Sequence, residues 1–312
     1  MVSIEYLAGF MDGEGYLALA RIRRRRRSPE YCLRLCAYNT DRRVLVSIRR
    51  RWGGSLSAVG QRRPAWKPSY ALIWTNAAAA KLLKMLVRHL RVKSKQAVAL
   101  LEFNAHLQAC RRSRDSGGHL LPLSEAELEF RARFHNRLAR LNMKGKAVRG
   151  SGTSPNARLD RRRRLSKYLA GFIDAEGCLM IPKSTDSNGN SQYRARISIG
   201  NTDKPVLEEI RGRFGGIMTN QPSARVGWRH AYQLIWSDGM VERLLLSVLP
   251  YLIVKRRHAM VMLALVDHKK ATRQGRAASE FARHPRKVIA FRENLRQRMK
   301  ALNAKGPPAI SN

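Results

Sequence analysis

Two glutamates occupy matched places in the two halves of this chain, Glu14 and Glu176. Each is the penultimate residue of a ten-residue stretch that occurs twice, Tyr6-Leu-Ala-Gly-Phe-Met-Asp-Gly-Glu-Gly15 and Tyr168-Leu-Ala-Gly-Phe-Ile-Asp-Ala-Glu-Gly177. The copies differ only at Met11/Ile173 and Gly13/Ala175. Each reads as a helix, with Ser3 and Ser166 as candidate N-caps and Gly15 and Gly177 as stops. A helix C-terminus presents unpaired carbonyls and the negative end of the backbone dipole. A carboxylate placed there completes a set of hard oxygen donors suited to a divalent cation. Asp12 and Asp174 lie two positions earlier, about 200° round the helix, and cannot readily face the same ion.

The elements that must position these carboxylates also come in duplicate. The offset between the two glutamates (176 − 14 = 162) is about half of the 312 residues. A repeat at a fixed offset predicts two related domains, each opening with the same helix. Gly9 and Gly13 in one copy, and Gly171 and Ala175 in the other, are small residues four apart on one face. A helical glycine costs about 1 kcal/mol against alanine, so close backbone packing is expected there. The natural partner of each helix is the other copy, and that pairing would bring both glutamates together.

Beyond Gly15, strands are expected over 16–23 and 31–38, with Leu17, Leu19, Leu33 and Leu35 inward. Arg21 then falls on the inward parity, and a bulge would be needed to turn it out. Asn39-Thr40-Asp41 offers caps for a helix over 41–52, ended by Gly53-Gly54. A second hairpin follows over 55–59 and 69–75. Asn76 reads as the cap of a helix over 77–90, another helix spans 93–110, and Ser124-Glu125-Ala126-Glu127 reads as a capping box opening a last helix to Met143. The order is αββαββα with added C-terminal helices. The second half repeats the signposts: Asn201-Thr202-Asp203, Gly215-Gly216, Tyr232-Gln-Leu-Ile-Trp236 and Lys255 match Asn39-Thr40-Asp41, Gly53-Gly54, Tyr70-Ala-Leu-Ile-Trp74 and Lys93. Linker composition over 145–165 divides a first domain, 1–144, from a second, 166–312.

Lys and Arg total 61 against 22 acids, a formal charge of +39. So large a charge strains the folded state by self-repulsion and implies a polyanionic partner. There is no long apolar run, which favours nucleic acid over a membrane. The four cysteines show no metal-ligand spacing and no disulfide framework; Cys32 and Cys36 read as small apolar residues on a strand. No secretory signal is expected, and the composition suits a reducing, intracellular site. An organelle and a prokaryotic cytoplasm fit equally.

The duplicated stretch resembles the defining motif of the LAGLIDADG homing endonucleases, in the single-chain form with two motifs. The resemblance extends across both halves through the signposts above. It implies an α+β fold of two pseudo-symmetric αββαββα domains, each a curved antiparallel sheet backed by helices. In the family these join at a two-helix interface to form a saddle on duplex DNA. The implied activity is metal-dependent double-strand cleavage of a long asymmetric site, leaving short 3′ overhangs, by a protein acting as a monomer. Glu14 and Glu176 then match the metal-binding residues, with glutamate where many members have aspartate. The resemblance also implies Mg²⁺, replaceable by other divalent ions, with the carbonyls of Gly13 and Ala175 as further ligands. Lys93 and Lys255 match the basic residues that open the fourth core helix near the scissile phosphate. A polar residue commonly precedes the Asn-Thr pair; here it is Tyr38 in one half but Gly200 in the other, which makes the half-sites unequal.

Strand parity divides the contacts expected with DNA. On the strand expected over 193–200, Ala195, Ile197 and Ile199 alternate with Arg194, Arg196 and Ser198. Those three should face DNA, with Arg34, Tyr38, Ser57, Thr219, Gln221 and Gln233. Arg21, Arg23 and Lys183 are assigned to the same surface. Arg62, Arg63, Lys67 and Arg225, in or near turns, suit phosphate contacts. His135-Asn136 is too isolated to suggest another nuclease type, and His89, His106 and His268 read as packed or surface groups. The competing readings are an RNA-binding maturase acting on the host intron, and a regulator that binds DNA without cutting.

Overall fold

The computed structural model describes residues 2–23, 28–60, 67–110, 116–117, 121–142, 161–187, 189–222, 230–274 and 285–304. The chain separates into two compact units, chiefly Met1–Val59 with Ser69–Asn156, and Ala157–Ser223 with His230–Asn312. The architecture is α+β, with antiparallel sheets backed by helices. Among the described residues no helix is long and apolar enough to cross a membrane.

The first unit opens with α1 (Ile4–Glu14), where the Tyr6 N–H donates to the Ser3 hydroxyl as its cap requires. At Gly15 a Cβ would run into the Met11 carbonyl that accepts the Gly15 N–H, which is why glycine ends the helix. There follow β1 (Gly15–Ile22), β2 (Glu30–Asn39), α2 (Arg42–Trp52), β3 (Ser55–Val59) and β4 (Ser69–Thr75), then α3 (Asn76–Leu86), α4 (Ser94–Ala109) and α5 (Glu125–Asn142). The sheet order is β1-β2-β4-β3. Cross-strand partners share a face, so the register puts Leu17, Leu19, Leu33, Leu35, Leu72 and Trp74 together, all buried under the helices. The Trp74 indole N–H donates to the Trp52 carbonyl at 2.9 Å, which satisfies the one polar atom of that large ring. Asp41 caps α2, and Gly53 with Gly54, at φ 68° and 98°, make the left-handed corner that follows.

The second unit comprises α6 (Arg161–Glu176), β5 (Cys178–Met180), β6 (Lys183–Thr185), β7 (Ser191–Tyr193), β8 (Arg196–Asn201), α7 (Lys204–Phe214), β9 (Ile217–Gln221), β10 (Ala231–Ser237), α8 (Gly239–Val248), α9 (Arg256–Gln274) and α10 (Arg286–Asn303). Its four-stranded sheet has the matching order, β5-β8-β10-β9, and β6 pairs with β7.

Four local expectations are corrected. Ser166 is no N-cap: α6 begins at Arg161, within the expected linker, and Ser166 is buried inside it. The strand expected over 193–200 is interrupted at Arg194-Ala195, because Asp238 intervenes. The Asp238 N–H donates to the Ala195 carbonyl and its carboxylate accepts the Ala195 N–H. Asn76 is not the N-cap of α3; it holds φ 45° at a positive-φ corner, as its counterpart Asp238 does at φ 47°, a backbone conformation uncommon outside glycine. The capping box forms by half. Ser124 accepts the Glu127 N–H at 3.3 Å, but the Glu127 carboxylate turns to His106 and Arg131.

Candidate functional site

Glu14 is the last residue of α1 and Glu176 the last of α6, and both are exposed. The aspartate two positions before each has a different task. Asp12 is 2% exposed and accepts the backbone N–H groups of Arg91, Val92 and Lys93 at 2.7, 3.2 and 2.9 Å. Asp174, 1% exposed, accepts those of Ile253 and Lys255, both at 2.7 Å. Charge-assisted bonds of this kind are about twice as strong as neutral ones. Each aspartate therefore fixes the backbone of the segment that carries the lysine. Sequence reasoning excluded these aspartates from the ion but missed this role, which depends on a segment some eighty residues away.

In the first unit the clamp brings the lysine to the motif helix itself. The Lys93 ammonium donates to the carbonyls of Met11, Asp12 and Gly13 at 2.8, 2.5 and 3.1 Å. These are last-turn carbonyls, which carry the negative end of the dipole and attract a cation. The Lys255 side chain makes no such bond to the end of α6 among the described residues. The donors offered to a metal ion, a glutamate carboxylate and a backbone carbonyl in each half, are all oxygen and fit a hard divalent cation. At Gly13 the carbonyl is shared with the Lys93 ammonium.

The sheet surfaces opposite the helix-backed faces carry the expected DNA contacts. In the first unit the register places Arg34, Tyr38 and Ser57 there. Burial, followed by a hydrogen bond with Cys36, pushes the Tyr38 phenol up, which leaves it a neutral donor. In the second unit Arg196, Thr219, Gln221 and Gln233 share that face through the pairings Gln233↔Gly200, Gln233↔Thr219 and Ala231↔Gln221. The Gln221 amide donates to the Gln233 carbonyl oxygen at 3.2 Å. The buried Nε of Arg196 has no hydrogen-bond partner among the described residues, so a donor remains to be satisfied there. Arg194 is exposed in the break between β7 and β8, and Arg23 and Lys67 are exposed outside the strands.

Three assigned residues sit apart from these. β1 pairs with β2 without a bulge from Gly15↔Ala37 to Ile22↔Glu30, so Arg21 keeps the inward parity, opposite Tyr31. Lys183, its counterpart, sits opposite Tyr193 on the same kind of face, with its ammonium 3.7 Å from the Glu293 carboxylate of α10. Ser198 has the outward parity but is only 2% exposed, covered between its strand neighbours Cys178 and Ile235. Its counterpart Cys36 is buried likewise. Arg62, Arg63 and Arg225 lie outside the described residues. Exposed apolar members of this surface, Tyr16 (46%), Ile22 (39%), Val59 (38%) and Ile217 (58%), went unremarked in the sequence. Tyr16 follows Gly15 at the start of an alternating strand, and that parity was the available signal.

This arrangement of repeated sheet, helix end and lysine is the fold of the LAGLIDADG homing endonucleases. Residues 169–252 match the family model described as LAGLIDADG endonuclease. Solved structures of that class superpose over almost the whole chain. The I-SmaMI homing endonuclease bound to cleaved DNA is 12% identical, with 97% of this chain and 99% of that one covered and a TM-score of 0.67. I-GzeII in complex with its DNA target is 12% identical, covering 97% and 100%, at a TM-score of 0.63. I-SmaMI bound to an uncleaved DNA target in the presence of calcium ions is 12% identical, covering 96% and 99%, at 0.63. No curated protein sequence matches the chain.

Proposed function

We propose that the chain is a LAGLIDADG homing endonuclease of the single-chain, two-motif form, which makes a magnesium-dependent double-strand break in a long asymmetric DNA site. The observation that carries this reading is the duplication of one complete arrangement. In each half an exposed glutamate ends the motif helix, and a buried aspartate two residues earlier anchors the backbone of a lysine. A divalent ion held by Glu14 with the Gly13 carbonyl, or by Glu176 with the Ala175 carbonyl, supplies an activated water and neutralises phosphate charge. Lys93 and Lys255 stabilise the charge that develops on the phosphate oxygens.

Arg34, Tyr38, Ser57, Arg196, Thr219, Gln221 and Gln233 read base edges in the major groove, with Arg194 beside them. Arg23 and Lys67, joined by Arg62, Arg63 and Arg225, bind the backbone. The outward residues differ between halves, which supports an asymmetric site. The chain acts as a monomer of two domains, 1–144 and 166–312, inside a cell or organelle, and its cuts leave short 3′ overhangs.

Selection of cleavable sites from a randomised duplex pool, with Mg²⁺ and with chelator, tests this. One asymmetric site family should emerge, cut only with the ion. Binding that enriches a site without any cutting would replace the nuclease by a DNA-binding regulator, and enrichment of intron RNA alone by a maturase. Affinity should fall with salt at a slope of about −0.9 per phosphate neutralised.

A further inference from the structure

A second group of metal-ligating side chains lies at the other end of α4 from Lys93. His106 and Cys110 are one helical turn apart, and Glu127 belongs to the first turn of α5. One ligand atom from each lies within 4.8 Å of the others, and all three residues are partly buried. The His106 Nε2 is 2.8 Å from one Glu127 oxygen, and Arg131 Nε donates to the other at 2.5 Å. The Phe130 ring packs against the imidazole at a centroid distance of 3.9 Å. Ligand atoms round a tetrahedral zinc ion stand about 3.3–3.7 Å apart, given Zn–N of about 2.0 Å and Zn–S of about 2.3 Å. The 2.8 Å between His106 and Glu127 therefore needs to open slightly, and the separations to Cys110 are already within 4.8 Å.

The second unit supplies an internal control. His268, Phe291 and Arg292 stand where the first unit has His106, Phe130 and Arg131. The ring pair persists at 4.4 Å. Arg292 donates to the His268 Nδ1 at 3.4 Å and to the Thr272 hydroxyl at 2.9 Å. The two remaining positions differ: Thr272 replaces the cysteine and Val288 the glutamate. The histidine, phenylalanine and arginine are thus common to both helix pairs, while the arginine bonds Thr272 in one and Glu127 in the other. Cys110 and Glu127 occur together in the first unit only.

We propose that His106, Cys110 and Glu127 form a structural site for zinc, which ties the end of α4 to the start of α5. Cys110 binds as the thiolate and gives its proton to solvent; His106 binds through Nε2 with its proton on Nδ1; water completes the fourth position. Arg131, bonded to the other carboxylate oxygen, orients the glutamate as outer partners of metal ligands do. Sulfur and imidazole favour zinc over magnesium, which separates this site from the all-oxygen donors at Glu14 and Glu176.

The test is a Co²⁺ titration of the full chain after metal stripping. A near-ultraviolet thiolate-to-cobalt band with tetrahedral visible bands is expected, removed by one equivalent of Zn²⁺. Cys110→Thr and Cys110→Ser should abolish the thiolate band, and Glu127→Val should weaken binding at least tenfold. Cys178→Ser should change neither, and far-UV circular dichroism should be the same throughout. Zn²⁺ should raise the melting temperature of the native chain and leave that of Cys110→Thr unmoved. A native chain without a thiolate band, a band that survives both Cys110 variants, or one lost only in Cys178→Ser would overturn the site and leave an ion pair between two helices.

Discussion

The two halves hold the same lysine by the same backbone clamp, yet they finish the job differently. Asp12 accepts three N–H groups, and the Lys93 ammonium then docks on the carbonyls of α1. Asp174 accepts the N–H groups of Ile253 and Lys255, and the Lys255 ammonium makes no matching contact with α6 among the described residues. A few positions further on, the Gln96 amide donates to the Leu141 carbonyl at 3.2 Å. His258 occupies the corresponding place, buried, with neither ring nitrogen in a well-formed hydrogen bond among the described residues. The difference separates what the fold must repeat from what each half is free to change: the clamp is repeated, and its surroundings are not.

The comparison breaks most severely at the clamp. Asp12→Ala leaves three N–H groups without their acceptor and should cost about 3–5 kcal/mol in urea unfolding. Asp174→Ala should likewise destabilise, since the N–H groups of Ile253 and Lys255 lose their acceptor. An unchanged unfolding midpoint in either variant would mean that the clamp does not hold the lysine segment.

Next comes the acid response. Burial, then the charge of Lys255, lowers the His258 pKa from 6.5 to about 4. The unfolded chain therefore takes up the proton first as pH falls, and stability present above pH 6.5 is lost down to about pH 4. At pH 5 the loss should be about 1–2 kcal/mol, and His258→Gln, the first unit's choice, should remove it. An unchanged pH profile in that variant would place the acid sensitivity elsewhere.

On the sheet face proposed to meet DNA, Arg196→Ala should relax preference at one or two base positions by about 1–3 kcal/mol. A uniform loss over all sequences would make it a phosphate contact. The smallest effect is expected at the unequal pair Tyr38 and Gly200. A Cβ at Gly200 would meet nothing nearer than the Tyr232 carbonyl at 3.8 Å, so the side chain of Gly200→Tyr starts in open space. It should bring the nicking rates of the two strands closer by a few-fold, and a wider gap would refute the link between this pair and unequal cutting.

Much of the fold was legible because its signals are local and occur twice. Ser3, Asp41, Gly15 and the paired glycines Gly53-Gly54 announce their own corners, and the apolar positions Ile197 and Ile199 of β8 are read as buried from the sequence. What was not legible depends on distant partners. The tasks of Asp12 and Asp174 need the segments at 91–93 and 253–255. The interruption before β8 needs Asp238, some forty residues later. Arg161 to Arg164 have the composition of a linker and become helical as part of α6. Arg21 and Lys183 were assigned to the outward surface, whereas the strand pairings give them the parity of Tyr31 and Tyr193, exposed at the ends of their hairpins.

The most direct test takes Glu14→Gln and Glu176→Gln one at a time and measures duplex cleavage and site binding under the same Mg²⁺ conditions. Each variant should lose double-strand cutting and keep nearly native affinity for the site. Undiminished double-strand cutting by either one would contradict the assignment of these carboxylates to the catalytic metal.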